Sequence, residues 1–232
     1  MTAIGVVVVG PDRGLIWADT ATFRDGQPAR HTPKLALNAV ARLALTGAGW
    51  TDLLALARQE AVAAMAFDEL VDRLPSLLRH SAARLADRRG DAATMTENAV
   101  VTCGWSASFR RIRAVVMPGE DFFEPRPVDC YTAPHVPDIR ASGAACWPDI
   151  GAAITQQVAE LEHRFGVTLT GQITGATIAP LEVTAARLRE LGDFPTAPTI
   201  RTPAAVVPSE PTRPRFAEIN PDGNDEVHVD AG

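Results

Sequence analysis

The stretch from Ile4 to Ala18 constrains the fold more than any other part of the chain. Ile4-Gly5-Val6-Val7-Val8-Val9 is a continuous, mostly β-branched apolar run. Such a run suits a strand buried on both faces. Gly10-Pro11-Asp12-Arg13-Gly14 is strong turn chemistry, and Leu15-Ile16-Trp17-Ala18 reads as the returning strand. Antiparallel pairing about that turn places Val9 near Leu15 and Gly5 near Asp19. Thr2 and Asp19 then emerge at the same end of one sheet.

The following residues predict a second hairpin. Lys34–Leu37 and Arg42–Leu45 read as short strands, and Thr46-Gly47-Ala48-Gly49 ends the second of them. This hairpin brings Lys34 close to Thr46 and Gly47. Trp50 to Ala64 reads as a helix with Thr51 as N-cap. A second helix is expected from Phe67 to Arg89, with Leu70, Leu74, Leu77, Leu78 and Leu85 at helical spacing and Pro75 bending or splitting it. Ala99–Trp105, Arg110–Met117 and Val128–Thr132 read as strands. Pro148–Phe165 reads as a helix, 168–174 as a strand and Leu181–Leu191 as a helix. Strands, two helices, more strands and then helices fit an α+β chain, in which two mainly antiparallel sheets are covered by helices on both sides as a four-layer αββα sandwich. Residues 1–192 form this domain. Residues 193–232 carry seven prolines and little apolar periodicity, and are expected to be a disordered tail.

Composition narrows the function classes. A net charge of −6 disfavours non-specific nucleic-acid binding. The Arg110-Arg111-Arg113 cluster reads as a solvated strand face. No apolar run approaches the roughly 18 residues that span a bilayer, and a cytoplasmic location is expected. Cys103, Cys130 and Cys146 form no CxxC pair, and the five histidines show no metal spacing. Neither a metal nor a cofactor is expected. The chain has 22 basic residues, of which Lys34 is the single lysine. Arginine keeps its proton in proteins, whereas lysine can lose it and acts as a compact point charge.

Thr2, Asp19 and Lys34, with a Gly-rich turn, suit one chemistry. A threonine hydroxyl is a weak nucleophile until a base takes its proton. An N-terminal threonine carries its own base, because an α-amine has a pKa of about 7.7–8.0. A lysine ammonium nearby lowers that value and favours the neutral amine. A carboxylate holds the lysine, and backbone N–H groups of the turn bind an oxyanion. The small residue after Met1 permits removal of the initiator methionine.

Met1-Thr2-Ala3-Ile4-Gly5-Val6-Val7-Val8 followed by Gly14-Leu15-Ile16-Trp17-Ala18-Asp19-Thr20-Ala21-Thr22 resembles the opening of proteasome β subunits. It is similar to the bacterial proteasome-like protease HslV and its Anbu relatives, members of the Ntn hydrolase superfamily. The resemblance covers roughly residues 2 to 160. It implies Thr2 as nucleophile, Asp19 as the catalytic aspartate at the strand end, and Lys34 as the lysine before an apolar strand. It further implies Gly49 as the oxyanion-binding glycine and Ser142, in Ala141-Ser142-Gly143, as a fourth member of the site. Position 3 is alanine where many relatives have threonine, and the family's later Asp and Ser have no counterpart after Phe165.

The expected activity is therefore that of a threonine-type peptidase, cleaving peptide or protein substrates within a homo-oligomeric ring. The alternatives are a catalytically inactive Ntn-fold assembly subunit of a larger particle, or a non-proteolytic Ntn amidohydrolase or ligase. Residues 193–232 are a candidate segment for binding an assembly partner.

Overall fold

The structure is a computed structural model that describes residues 2–24, 27–89, 96–135, 147–165, 173–188 and 200–201. In chain order the strands are β1 (Ile4–Val8), β2 (Gly14–Asp19), β3 (Ala21–Arg24), β4 (Gln27–His31), β5 (Ala36–Asn38) and β6 (Leu43–Ala48). Helices α1 (Thr51–Ala63) and α2 (Phe67–Arg89) follow, then β7 (Ala99–Ser106), β8 (Arg111–Pro118), β9 (Arg126–Val128) and β10 (Cys130–Ala133). The described chain continues through α3 (Trp147–Phe165), β11 (Ile173–Ile178), β12 (Val183–Leu188) and β13 (Ile200–Arg201). It is an α+β protein with two main sheets, both antiparallel. A six-stranded sheet has the order β10-β1-β2-β11-β12-β13, and a five-stranded sheet the order β5-β6-β7-β8-β9. β3 and β4 form a separate ribbon.

The two sheets face each other. Ile4, Val6, Ile16, Ala18, Ala176 and Ile178 from one meet Ala44, Val101, Cys103, Ile112, Ala114 and Val116 from the other in a single apolar cluster. The opposite face of the five-stranded sheet is covered by α1 and α2, where Leu43, Leu45, Val115 and Met117 pack against Leu53, Phe67, Leu70, Leu74 and Leu78. Removing one such leucine side chain costs about 2–5 kcal/mol. α3 lies against the other face of the six-stranded sheet, where Gln157 bonds to Trp17 and Ile4. Both halves of the β1–β2 hairpin are thus buried on both faces, as its β-branched run demands.

Gly5 shows why that run contains a glycine. It sits opposite Trp17 in the β1–β2 ladder, and a Cβ there would lie 2.0 Å from the indole ring. Trp17 is fully buried and cannot swing out. Gly5→Val is expected to destabilise the fold by about 3 kcal/mol, at the upper end of ordinary overpacking. Thermal denaturation would read this as a fall of roughly 6–12 °C for a domain of this size. An unchanged midpoint would show that the indole has room to move.

Several elements differ from the sequence reading. The first hairpin pairs Gly5 with Trp17 and Ile4 with Ala18, two residues tighter than expected. The cause is the narrower turn, which spans 9–13 with Gly10 at φ +73° and Val9 N–H bonded to the Arg13 carbonyl. β6 does not break at Thr46 but runs to Ala48, because Gly47 fits closely under Leu54 and the Ala99 carbonyl. The N-cap of α1 is Trp50, not Thr51. α2 remains one helix through Pro75, held by its buried stripe. The expected strand Val128–Thr132 is two strands, because the chain crosses at Asp129 from the five-stranded to the six-stranded sheet. Of the strand expected at 168–174, residues 168–172 lie outside the described residues, and 173–174 open β11, Ile173–Ile178. The expected helix Leu181–Leu191 is contradicted. β12 occupies Val183–Leu188 and pairs fully with β11, a tertiary ladder that overrides local helical spacing. Of the segment 193–232, the structure describes Ile200–Arg201, which pair with Thr184 and Ala185. The remainder lies outside the described residues. Among the described residues no helix is long and apolar enough to cross a membrane.

Candidate functional site

The register of both sheets sorts the strand ends into two groups. At one end lie the start of β1, the end of β2, the start of β5 and the end of β6. Thr2, Asp19, Lys34 and Gly49 flank these four ends. The tighter first hairpin matters here. Asp19 N–H donates to the Ala3 carbonyl, so the aspartate stands beside Ala3 and not beside Gly5. A two-residue shift keeps every side chain on its original face while drawing the carboxylate up to Thr2.

Three of the expected site residues are in direct contact. Lys34 Nζ donates to Thr2 Oγ1 at 2.9 Å and to Asp19 Oδ1 at 2.8 Å. The second Asp19 oxygen, Oδ2, accepts the Ala3 N–H at 2.5 Å. The lysine and aspartate side chains are only 11% and 3% exposed, and Thr2 is buried as well. A buried ammonium is tolerated where a carboxylate accompanies it. Burial lowers the Lys34 pKa below that of a free lysine, and Asp19 partly offsets this by charge and hydrogen bond. The result is a cation of reduced proton affinity held against a threonine hydroxyl oxygen.

Gly49 follows β6 at the same end and has φ +117°. A Cβ there would come within 2.2 Å of Asn98 Oδ1, so the position requires glycine on both conformational and steric grounds. Asn98 is a residue the sequence reading missed. It is buried, and its Oδ1 accepts the Trp50 N–H at 2.7 Å. Its backbone carbonyl accepts from Gly119. Asn98 therefore fixes the 49–50 turn that leads into α1. A single polar residue ahead of a β-branched strand gives no sequence signal of that role. Ser142, the expected fourth member, lies outside the described residues.

Gln157 was also missed. Its fully buried amide accepts from Trp17 Nε1 at 2.9 Å and donates to the carbonyls of Ile4 and Pro134 at 2.9 and 3.1 Å. It ties α3 to both β1 and β2 just behind the Thr2 end. Gln157→Leu keeps the volume but orphans these buried groups, each worth about 1–3 kcal/mol. We expect a loss of at least about 2 kcal/mol in chemical denaturation with an unchanged slope. A loss below about 0.5 kcal/mol would show that α3 is held by apolar contacts alone.

Cys103 is fully buried, and burial pushes its thiol up to about 12. It cannot supply a thiolate near neutral pH. Cys130 is half-buried and raised for the same reason, and Cys146 lies outside the described residues. Among the described residues no cluster of three or more His, Cys, Asp or Glu is placed to hold a metal ion. A cleft of about 790 Å³ opens at the opposite end of the sheets, lined by Gly10, Pro11, Arg111, Arg113, Pro127 and Asp129 among others. None of the Thr2 cluster lines it. No family model matches the chain, and a search of curated proteins returns no significant match.

Proposed function

We propose that the chain is an N-terminal-threonine hydrolase of the proteasome β-subunit type, with the four-layer Ntn fold, acting on peptide amide bonds. The observation that carries this reading is the bridge made by Lys34 Nζ between Thr2 Oγ1 and Asp19 Oδ1. An apolar core has no use for the chain's single lysine at that depth, whereas an activated hydroxyl does.

The mechanism requires that the bond before Thr2 be cleaved. The freed α-amine then takes the proton of its own hydroxyl, and Oγ1 attacks the substrate carbonyl carbon. Lys34 stabilises the developing negative charge on Oγ1 and, as a neighbouring cation, holds the amine in its neutral form. Asp19 keeps the ammonium in place through Oδ1, while its Oδ2 locks the backbone at Ala3. The carbonyl oxygen becomes an oxyanion, for which the Gly49 backbone N–H is the proposed donor. The amine returns the proton to the leaving nitrogen as the carbon–nitrogen bond breaks, leaving an ester on Thr2. Water, deprotonated by the same amine, releases the acid and restores the hydroxyl. A homo-oligomeric ring in the cytoplasm is part of the same proposal and follows from the resemblance.

Hydrolysis of short fluorogenic peptide amides, followed between pH 5 and 9, tests the reading. The rate should rise with pH as the amine loses its proton, with a midpoint below the 7.7–8.0 of an unperturbed α-amine. A protein beginning at Thr2 that hydrolyses no member of a broad peptide panel would contradict it.

A further inference from the structure

The end of the molecule opposite Thr2 carries an apolar surface that the proposed chemistry does not use. Among the described residues six large hydrophobic side chains are strongly exposed, and five of them, Val40, Val62, Met65, Phe109 and Leu181, belong to this end at 49–79% exposure. The hydrogen bonds show that their segments adjoin. Asn38, beside Val40 in the β5–β6 turn, donates to the carbonyls of Ala61, Val62 and Ala64. Arg42 of the same turn donates to Pro180, next to Leu181. Asp68, at the start of α2 near Met65, accepts from Ser108, next to Phe109. Arg110 and Arg111 are exposed beside Phe109, and Arg113 stacks on its ring at 4.0 Å. Five exposed apolar side chains are thus gathered on adjoining segments at one end, with charged residues among them, and such a gathering marks a candidate interaction site.

The direction of β13 indicates what covers it. β12 runs away from this end, starting at Val183, and β13 pairs with it antiparallel through Ala185↔Ile200 and Thr184↔Arg201. The chain therefore leaves Arg201 heading for the Leu181 turn. Residues 202–232 follow, long enough to extend about 100 Å. Within them, 216–232 hold Phe216, Ile219, Val227 and Val229 with Glu218, Asp222, Asp225, Glu226 and Asp230, and no lysine or arginine. The apolar residues of this segment suit the apolar side chains, and its carboxylates suit Arg110, Arg111 and Arg113 beside Phe109, while Asp68, Glu69 and Glu182 border the Met65 and Leu181 side. Tethering at Arg201 supplies an effective concentration near millimolar, so weak intrinsic affinity suffices.

We propose that the segment 216–232 docks in cis on the surface formed by Val40, Val62, Met65, Phe109 and Leu181. The surface is independent of the Thr2 chemistry and can stand without it. The test uses the full chain with photo-reactive p-benzoylphenylalanine in place of Phe216. Irradiation should give intrachain cross-links to 38–42, 62–66, 107–111 or 179–182. Their yield should fall at least about tenfold in the pair Met65→Glu and Leu181→Glu, whose exposed positions leave the fold intact by circular dichroism. Cross-links confined to other segments, or no cross-links, would overturn the proposal. So would cross-links joining ¹⁴N- to ¹⁵N-labelled copies, which would assign the surface to a second copy of the chain.

Discussion

Thr2→Ala is expected to reduce peptide-amide hydrolysis by at least about 10³-fold, to the background of the assay. The variant keeps the α-amine, Lys34 and Asp19 but has no oxygen to form the ester. Thr2→Ser retains both hydroxyl and amine and should keep most of the activity. The fold is not at stake in this comparison. Losing the hydroxyl deprives Lys34 Nζ of one acceptor at 2.9 Å but leaves its bond to Asp19 at 2.8 Å, a change of about 1–3 kcal/mol at most. Activity in Thr2→Ala comparable with that of the parent would show that another group carries the reaction.

Lys34→Ala is expected to damage both stability and activity. It removes the ammonium from beside the Asp19 carboxylate, whose side chain is 3% exposed and which keeps the Ala3 N–H bond. Breaking one side of a buried pair costs about 3–5 kcal/mol, or roughly 6–20 °C in thermal midpoint at this chain length. Activity should fall about 10²–10⁴-fold, the range for a group that manages protons or charge in the transition state. Replacing both partners, Lys34→Met with Asp19→Leu, should recover much of the stability while leaving the activity lost. That split separates the electrostatic function from packing. The sign of the pH dependence follows from the lowered Lys34 pKa. Between that lowered value and 10.5, the unfolded chain holds a proton that the folded chain has released. The parent's stability should therefore gain a rising contribution with pH across that window, which Lys34→Ala lacks. A Lys34→Ala variant as stable and as active as the parent would remove the basis of the site.

The parts of this arrangement that were legible in the sequence are those set by local chemistry. The β-branched run and the Gly-Pro turn brought Thr2 and Asp19 to one sheet end, and the lone lysine ahead of an apolar strand reaches them from the other sheet. The two-residue error in the β1–β2 register arose because the 9–13 turn closes through Val9 and Arg13, a geometry that the residue types leave open. β12 was mistaken for a helix because its apolar spacing suits either form, and its pairing with β11 is a contact from outside the segment. The switch of sheets at Asp129 likewise depends on partners far away in sequence. Asn98 and Gln157 escaped notice for a related reason. Each is one polar residue whose importance comes from the distant backbone groups it satisfies, and nothing in its own neighbourhood marks it.

The central claim is that Thr2 becomes an N-terminal nucleophile. Intact mass spectrometry, before and after incubation with a peptide epoxyketone, tests it most directly, because that reagent closes a stable ring only on a residue presenting both a free amine and a hydroxyl. The account predicts a protein whose mass begins at Thr2 and which gains one reagent per chain, with no gain in Thr2→Ala. A chain that begins at Thr2 and takes up no reagent, or one that takes it up equally in Thr2→Ala, would contradict the account.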